Sequence, residues 1–209
     1  AAFLQRVEIL NLVTRHGALL IFDEIITGFR FDLGGAQKLF GVTPDLATFG
    51  KSLANGLPIS ALVGKRKYME KVNDIFFSST FGGEALSLAA AIATIHELAE
   101  QSVIKKLWQL GEYLKTRTKN LIKEIGLDDC LSVEGKPVWQ IIMIKPVAGY
   151  SILEIKSYLQ QELLQAGFLW LGQHNLSYSH RKQDFDRLLK TYDRVFKRLK
   201  KLLDSHRLR

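Results

Sequence analysis

Apolar positions along this chain recur with two different periods, and the change of period divides it. Over residues 2–15 apolar and polar positions alternate in a helix-like way, and Gly17 stands where such a helix would end. Ala18-Leu19-Leu20-Ile21-Phe22 follows as one continuous apolar run. That pattern suits a strand covered on both faces, and a helix leading into it predicts α/β architecture with a mainly parallel sheet. Residues 28–50 read as loop and short helix, with a turn at Thr43-Pro44-Asp45. Ala47-Thr48-Phe49 and residues 59–63 read as further strands, and Ser78 to Gly83 as a small-residue loop. The Ala- and Leu-rich stretch 84–100 and residues 103–125 predict helices, broken at Gly126-Leu127-Asp128-Asp129. Beyond that point strands are expected at 138–144 and 168–171, and helices at 151–165 and 183–203. This alternation predicts a smaller α+β domain. The boundary falls between residues 100 and 125, giving domains of 1–110 and 111–209.

Composition narrows the class. Apolar content of 47% and charged content of 24% fit a globular chain, and no apolar run is long enough to span a membrane. The first residues lack the basic-then-apolar pattern of a secretory leader. One cysteine, Cys130, excludes an internal disulfide and suits a reducing compartment, so a cytoplasmic location is expected. The net charge of +8 is localised: residues 181–209 hold eleven Lys/Arg against four Asp/Glu, a net +7. Phe185, Leu188, Leu189, Tyr192, Val195, Phe196 and Leu199 recur at helical spacing in the same segment. The expectation is an amphipathic helix with a solvated basic face rather than a nucleic-acid groove.

Candidate chemistry sits in the first half. Asp23 and Glu24 follow the apolar run directly, and in open α/β sheets ligands gather beyond the carboxyl ends of the strands. They could equally begin an ordinary loop. Gly50-Lys51-Ser52 has the ending of a phosphate-binding P-loop, but the glycine required five residues before Gly50 is Asp45, so that reading fails. What remains is a lysine between small residues. It is either a nucleophile for a carbonyl or a solvated surface charge. Neither the histidines nor Cys130 have metal-ligand spacing, and Trp108, Trp139 and Trp170 are read as core.

Joined together, these pieces carry a resemblance. Leu20-Ile21-Phe22-Asp23-Glu24-Ile25-Ile26-Thr27-Gly28-Phe29-Arg30, then Pro44-Asp45-Leu46-Ala47-Thr48-Phe49-Gly50-Lys51, then Asn55-Gly56-Leu57-Pro58-Ile59 resemble the class III aminotransferases that use pyridoxal 5′-phosphate (PLP). Within them the chain is most similar to the glutamate-1-semialdehyde aminomutase-like branch. The step from Asp23 to Lys51 fits the family pattern, and Ser79 to Glu84 resembles its phosphate-binding loop. The likeness extends to Leu176-Ser177-Tyr178-Ser179-His180.

The resemblance implies PLP-dependent transferase fold type I, as a partial large domain followed by the C-terminal small domain. It implies that Lys51 forms a Schiff base with PLP, that Asp23 partners the ring nitrogen, and that Thr80 binds the phosphate. In the family this threonine reaches the neighbouring subunit's cofactor, so a homodimer is implied. Gln173, His174 and Asn175 match the region that approaches substrate, with a plain surface turn as the alternative. Glu24 is left as a residue that supports a cofactor contact from behind or serves the fold. The implied partners are a small-molecule amino donor and a carbonyl acceptor, and the implied reaction is amino transfer or intramolecular amino migration. The family's first strands, its Gly-Ser/Thr loop and its ring-stacking aromatic are not found before Ala18. The chain is therefore expected to be a C-terminal part, with an open sheet edge and uncovered apolar surface. The competing expectation is a non-catalytic fragment or interaction module of the same fold.

Overall fold

The structure, a computed structural model, describes residues 12, 13 and 15–208. The helix expected over 2–15 lies almost wholly outside them. The chain divides into two compact units, Ala1–Ile104 and Lys105–Arg209.

In the first unit the described elements are β1 (Ile21–Asp23), α1 (Gly35–Phe40), β2 (Leu46–Phe49), β3 (Ala61–Gly64), α2 (Arg66–Met69) and α3 (Ala85–Glu100). The strands form one sheet in the order β1-β2-β3. β1 runs parallel to β2, with Asp23 opposite Thr48, and β3 returns antiparallel. Asp45 ties the starts of β1 and β2 to the end of β3: its carboxylate accepts from Lys65 Nζ and from the Leu20 amide, each at 2.8 Å. Those two bonds hold its carboxyl below the usual carboxylate range.

The strand expected over 18–22 is shorter than its apolar run, and it is not covered on both faces. Ile21 is 56% exposed and Leu19 is 42% exposed. The physical reason is position: β1 ends the sheet, and among the described residues it pairs only with β2. On the other side of the sheet's centre, Leu53 and Ala54 pack with Ala91 of α3, and Phe29, Phe49 and Ile59 close around them. That cluster seats the segment after β2 on α3.

The second unit holds most of α4 (Val103–Ile125), then β4 (Leu131–Lys136), β5 (Trp139–Ile144), α5 (Ile152–Gln165), β6 (Gln173–Asn175) and α6 (Lys182–Asp204). Its strands form an antiparallel sheet, β4-β5-β6. α6 buries Phe185, Leu188, Leu189, Tyr192, Val195, Phe196, Leu199 and Leu203, the i, i+3, i+4 stripe read from the sequence. Lys182, Lys197 and Lys200 on its outer face each pair with an aspartate four residues away. Three of the helix's aspartates are thus paired within it, and most of the segment's basic charge stays on the exposed face.

Two strand expectations move. Leu131–Lys136 is a strand that its Glu134-Gly135-Lys136 ending conceals; Gly135, at φ 85°, lies opposite Gln140, just before the Pro137-Val138 turn into β5. The strand expected over 168–171 lies further on, at Gln173–Asn175, beyond Gly172 at φ 93°. Among the described residues no helix is long and apolar enough to cross a membrane.

α5 begins with a capping box, in which the Ser151 hydroxyl accepts from the Glu154 amide at 3.3 Å and Glu154 accepts from the Ser151 amide at 2.8 Å. Replacing such a cap by alanine costs about 1 kcal/mol. Ser151→Ala is therefore expected to lower the unfolding free energy by that amount, seen in urea as a lower midpoint with an unchanged slope. An unchanged midpoint would show that the cap adds nothing.

Candidate active site

The carboxyl ends of β1 and β2 lie side by side, because the two strands are parallel neighbours. Asp23 is the last residue of β1. Lys51 comes two residues after the end of β2 and opens a short 3-10 turn, Lys51–Leu53. A carboxylate and an amine, 28 positions apart in sequence, therefore leave the same edge of the same sheet. Both residues are exposed. The Asp23 carboxylate accepts from the Ile25 amide at 3.0 Å, which orients it at the strand end.

Lys51 holds a left-handed backbone, φ 42°, a conformation that a residue with a side chain adopts at a cost of roughly 1 kcal/mol. Phe29 and Asn55 are also left-handed, at φ 58° and 51°. The Lys51 carbonyl accepts from the Asn55 amide at 3.1 Å, and buried Leu53 and Ala54 fix the turn onto α3. Packing over-determines the backbone on both sides of the lysine.

Glu24 is fully buried, and its role was not legible in the sequence. Its carboxylate accepts from the Thr27 hydroxyl, from the Ala36 amide at 2.8 Å and from the Gln37 amide at 2.8 Å. Its own amide donates to the Thr48 carbonyl at 2.9 Å, and its carbonyl accepts from the Gly28 amide at 2.8 Å. Two glycines make this possible. A Cβ on Gly28 would lie 2.5 Å from the Phe49 ring, and one on Gly35, at φ 72°, would lie 2.6 Å from the Glu24 carboxylate. The only sequence signal was the pairing of one strand-end acid with a threonine three residues on.

Thr80 is exposed in the turn that precedes α3. The Gly82 amide donates to the Ser79 carbonyl at 3.1 Å, and Glu84 caps the helix through the Leu86 and Ser87 amides, each at 2.7 Å. The Thr80 hydroxyl stands outside that capping arrangement.

Gln173, His174 and Asn175 are β6 in the second unit. They form a strand, not a surface turn. With Phe168, Trp170 and Leu171 they border a cavity of about 440 Å³. Gln173 and Asn175 are exposed, while His174 is 6% exposed. Gln140 Nε2 donates to the Gly111 and Pro137 carbonyls, each at 2.7 Å. Its Oε1 can then only accept, so His174 Nδ1 is the donor at 3.1 Å. His174 Nε2 must accept from the Tyr192 hydroxyl at 2.6 Å. Both ring nitrogens are committed inside the unit, and of this strand only Gln173 and Asn175 are exposed. Among the described residues no group of three or more His, Cys, Asp or Glu is placed to hold a metal ion.

The chain is similar to known proteins over most of its length. Residues 1–133 match the family model described as aminotransferase class-III. The 3-aminobutyryl-CoA aminotransferase of Cloacimonas acidaminovorans is 34% identical over 196 residues, covering 92% of this chain and 47% of that protein. The glutamate-1-semialdehyde 2,1-aminomutase of Pelotomaculum thermopropionicum is 32% identical over 206 residues, covering 90% and 46%. Among solved structures, the FumI protein of Sphingopyxis sp. MTA144, in its PLP internal aldimine form, superposes with a TM-score of 0.82 at 29% identity, covering 93% and 46%. The chain spans about half the length of the curated relatives it matches.

Proposed function

We infer that this chain, which belongs to the class III aminotransferase family and has the fold of PLP-dependent transferases of type I, contributes the amine and acid half of a PLP site. The family and the neighbouring structures support PLP as the cofactor. The residues present fit the group. An aldehyde needs a primary amine, a pyridine nitrogen needs an acid, and a phosphate needs hydroxyl and amide donors. Lys51, Asp23 and the Thr80 turn are those three kinds of group, in one unit. The observation that carries the reading is that Asp23 and Lys51 leave adjacent parallel strands at the same edge.

When bound, PLP supplies an electron sink for the pair left on the substrate's amine-bearing carbon. Asp23 keeps a proton on the ring nitrogen by placing a negative charge beside it. Lys51 Nζ is the amine for the cofactor's aldehyde carbon. The same nitrogen is the base for the proton on the substrate's amine-bearing carbon. Thr80 holds a phosphate oxygen. It stands on an exposed turn beside Phe76, which is 96% exposed, and beside exposed Phe77 and Phe81. A second copy of the chain would cover those rings and bring Thr80 to its partner's cofactor. Gln173 and Asn175 are the polar groups of the small domain offered to substrate.

The reaction is amino transfer from a small amino donor to a carbonyl acceptor, or migration of the amine within one molecule. Both activities are named among the relatives. Titrating the chain with PLP tests the reading. A visible absorbance band distinct from that of free PLP, saturating at one cofactor per chain, is expected. Absence of the band at saturating PLP would leave the fold without this function.

A further inference from the structure

Glu24 is the buried acid that the reading above leaves unused, and its bonds reach both sides of the site. On one side it is the covalent neighbour of Asp23. Its amide is fastened to the Thr48 carbonyl, the residue opposite Asp23 in the sheet. On the other side its turn lies against the approach to Lys51. Glu24 holds Gly28 through its carbonyl, and Gly28 is pressed against the Phe49 ring so closely that no side chain would fit. The Phe29 and Phe49 rings meet at 5.6 Å, and Ile25 lies against Gly50, with its Cγ2 3.7 Å from where a side chain would begin. Residues 49 and 50 lead directly into Lys51.

The carboxylate locks this arrangement. Its three donors come from Thr27 on the same turn and from Ala36 and Gln37 at the start of α1, so residues 24–37 close into a loop around one buried group. We propose that Glu24 is a positioning residue that sets the spacing between the Asp23 carboxylate and the Lys51 amine by clamping the 24–37 loop against the end of β2. The proposal rests on the assignment of Asp23 and Lys51 to PLP.

Glu24→Gln tests it at nearly constant volume, because an amide nitrogen cannot accept from Ala36, Gln37 or Thr27. The expected result is cofactor affinity weaker by about tenfold. The pH midpoint of the visible band should also shift by about one unit, because the acid no longer sits squarely at the ring nitrogen. A merely structural residue would lower the melting temperature of the cofactor-free chain and leave that midpoint in place. Thr27→Ser, which keeps the hydroxyl donor, should behave as the parent, and Thr27→Val should move the midpoint in the same direction as Glu24→Gln by less. If Glu24→Gln does not fold, Thr27→Val decides. A parent-like midpoint in the folded variants, with the parent chain binding PLP normally, overturns the positioning role alone. Failure of the parent chain to take up PLP overturns the cofactor assignment and this proposal together.

Discussion

Lys51→Ala should leave the chain unable to retain PLP through borohydride reduction. The parent, treated the same way, should carry the pyridoxyl mass on the peptide containing residue 51. The sequence has seventeen other lysines, so position matters more than total labelling. Lys51 is set apart from them by its place: a turn that packing fixes on α3 holds it at the end of the sheet that also carries Asp23. Asp23→Asn is the companion variant. It keeps an acceptor for the Ile25 amide and removes the charge facing the ring nitrogen. A hydrogen bond to a charged group is worth about 1.5–3 kcal/mol, so affinity should fall by roughly tenfold to hundredfold. Label spread evenly over many lysines in the parent, and unchanged in Lys51→Ala, would defeat the assignment.

The second large effect is on stability, in the second unit. His174 is neutral there, with its proton on Nδ1, and burial pushes its pKa down to about 4 from an ordinary 6.5. Between those two values the unfolded chain binds a proton that the folded chain refuses. Stability from this residue is therefore complete above about pH 6.5 and declines as pH falls toward 4. Below that both states are protonated, and the decline stops. A shift of this size corresponds to about 3 kcal/mol in all. Carboxylates titrate at the lower end of the same window, so the measurement is a difference. Urea midpoints of the parent and of His174→Gln, taken from pH 4 to 7.5, should converge as pH falls. Parallel curves would mean that the imidazole is not buried neutral.

Legibility in the sequence followed range. α3, α4, α5 and α6 were readable because 14 to 23 consecutive residues repeat one period, and their observed ends fall within a few residues of expectation. β4 was hidden because its second half is Glu134-Gly135-Lys136, a stretch that looks like a turn and becomes a strand only through its register with β5. At the site, Asp23 and Lys51 were legible by resemblance and by their place after apolar runs. Their shared sheet edge was not legible, since strand adjacency is a property of the folded chain. Glu24 could not be ranked from the sequence, because two of its carboxylate's three donors are backbone amides 12 and 13 positions away, which no side-chain pattern encodes. His174 looked like one of three polar neighbours. Strand alternation separates it from Gln173 and Asn175 and turns it inward.

The exposed flank of β1 bears on how the protein behaves in a tube. Among the described residues β1 has a neighbour on one side only, and such a strand presents a row of amides and carbonyls to any other extended peptide, with Leu19 and Ile21 adding greasy contacts beside that row. The first unit is accordingly the adhesive part of the molecule. Solutions of the chain will tend to self-associate as concentration rises, and a lysine or proline grafted at position 21 is the change that would keep them dispersed.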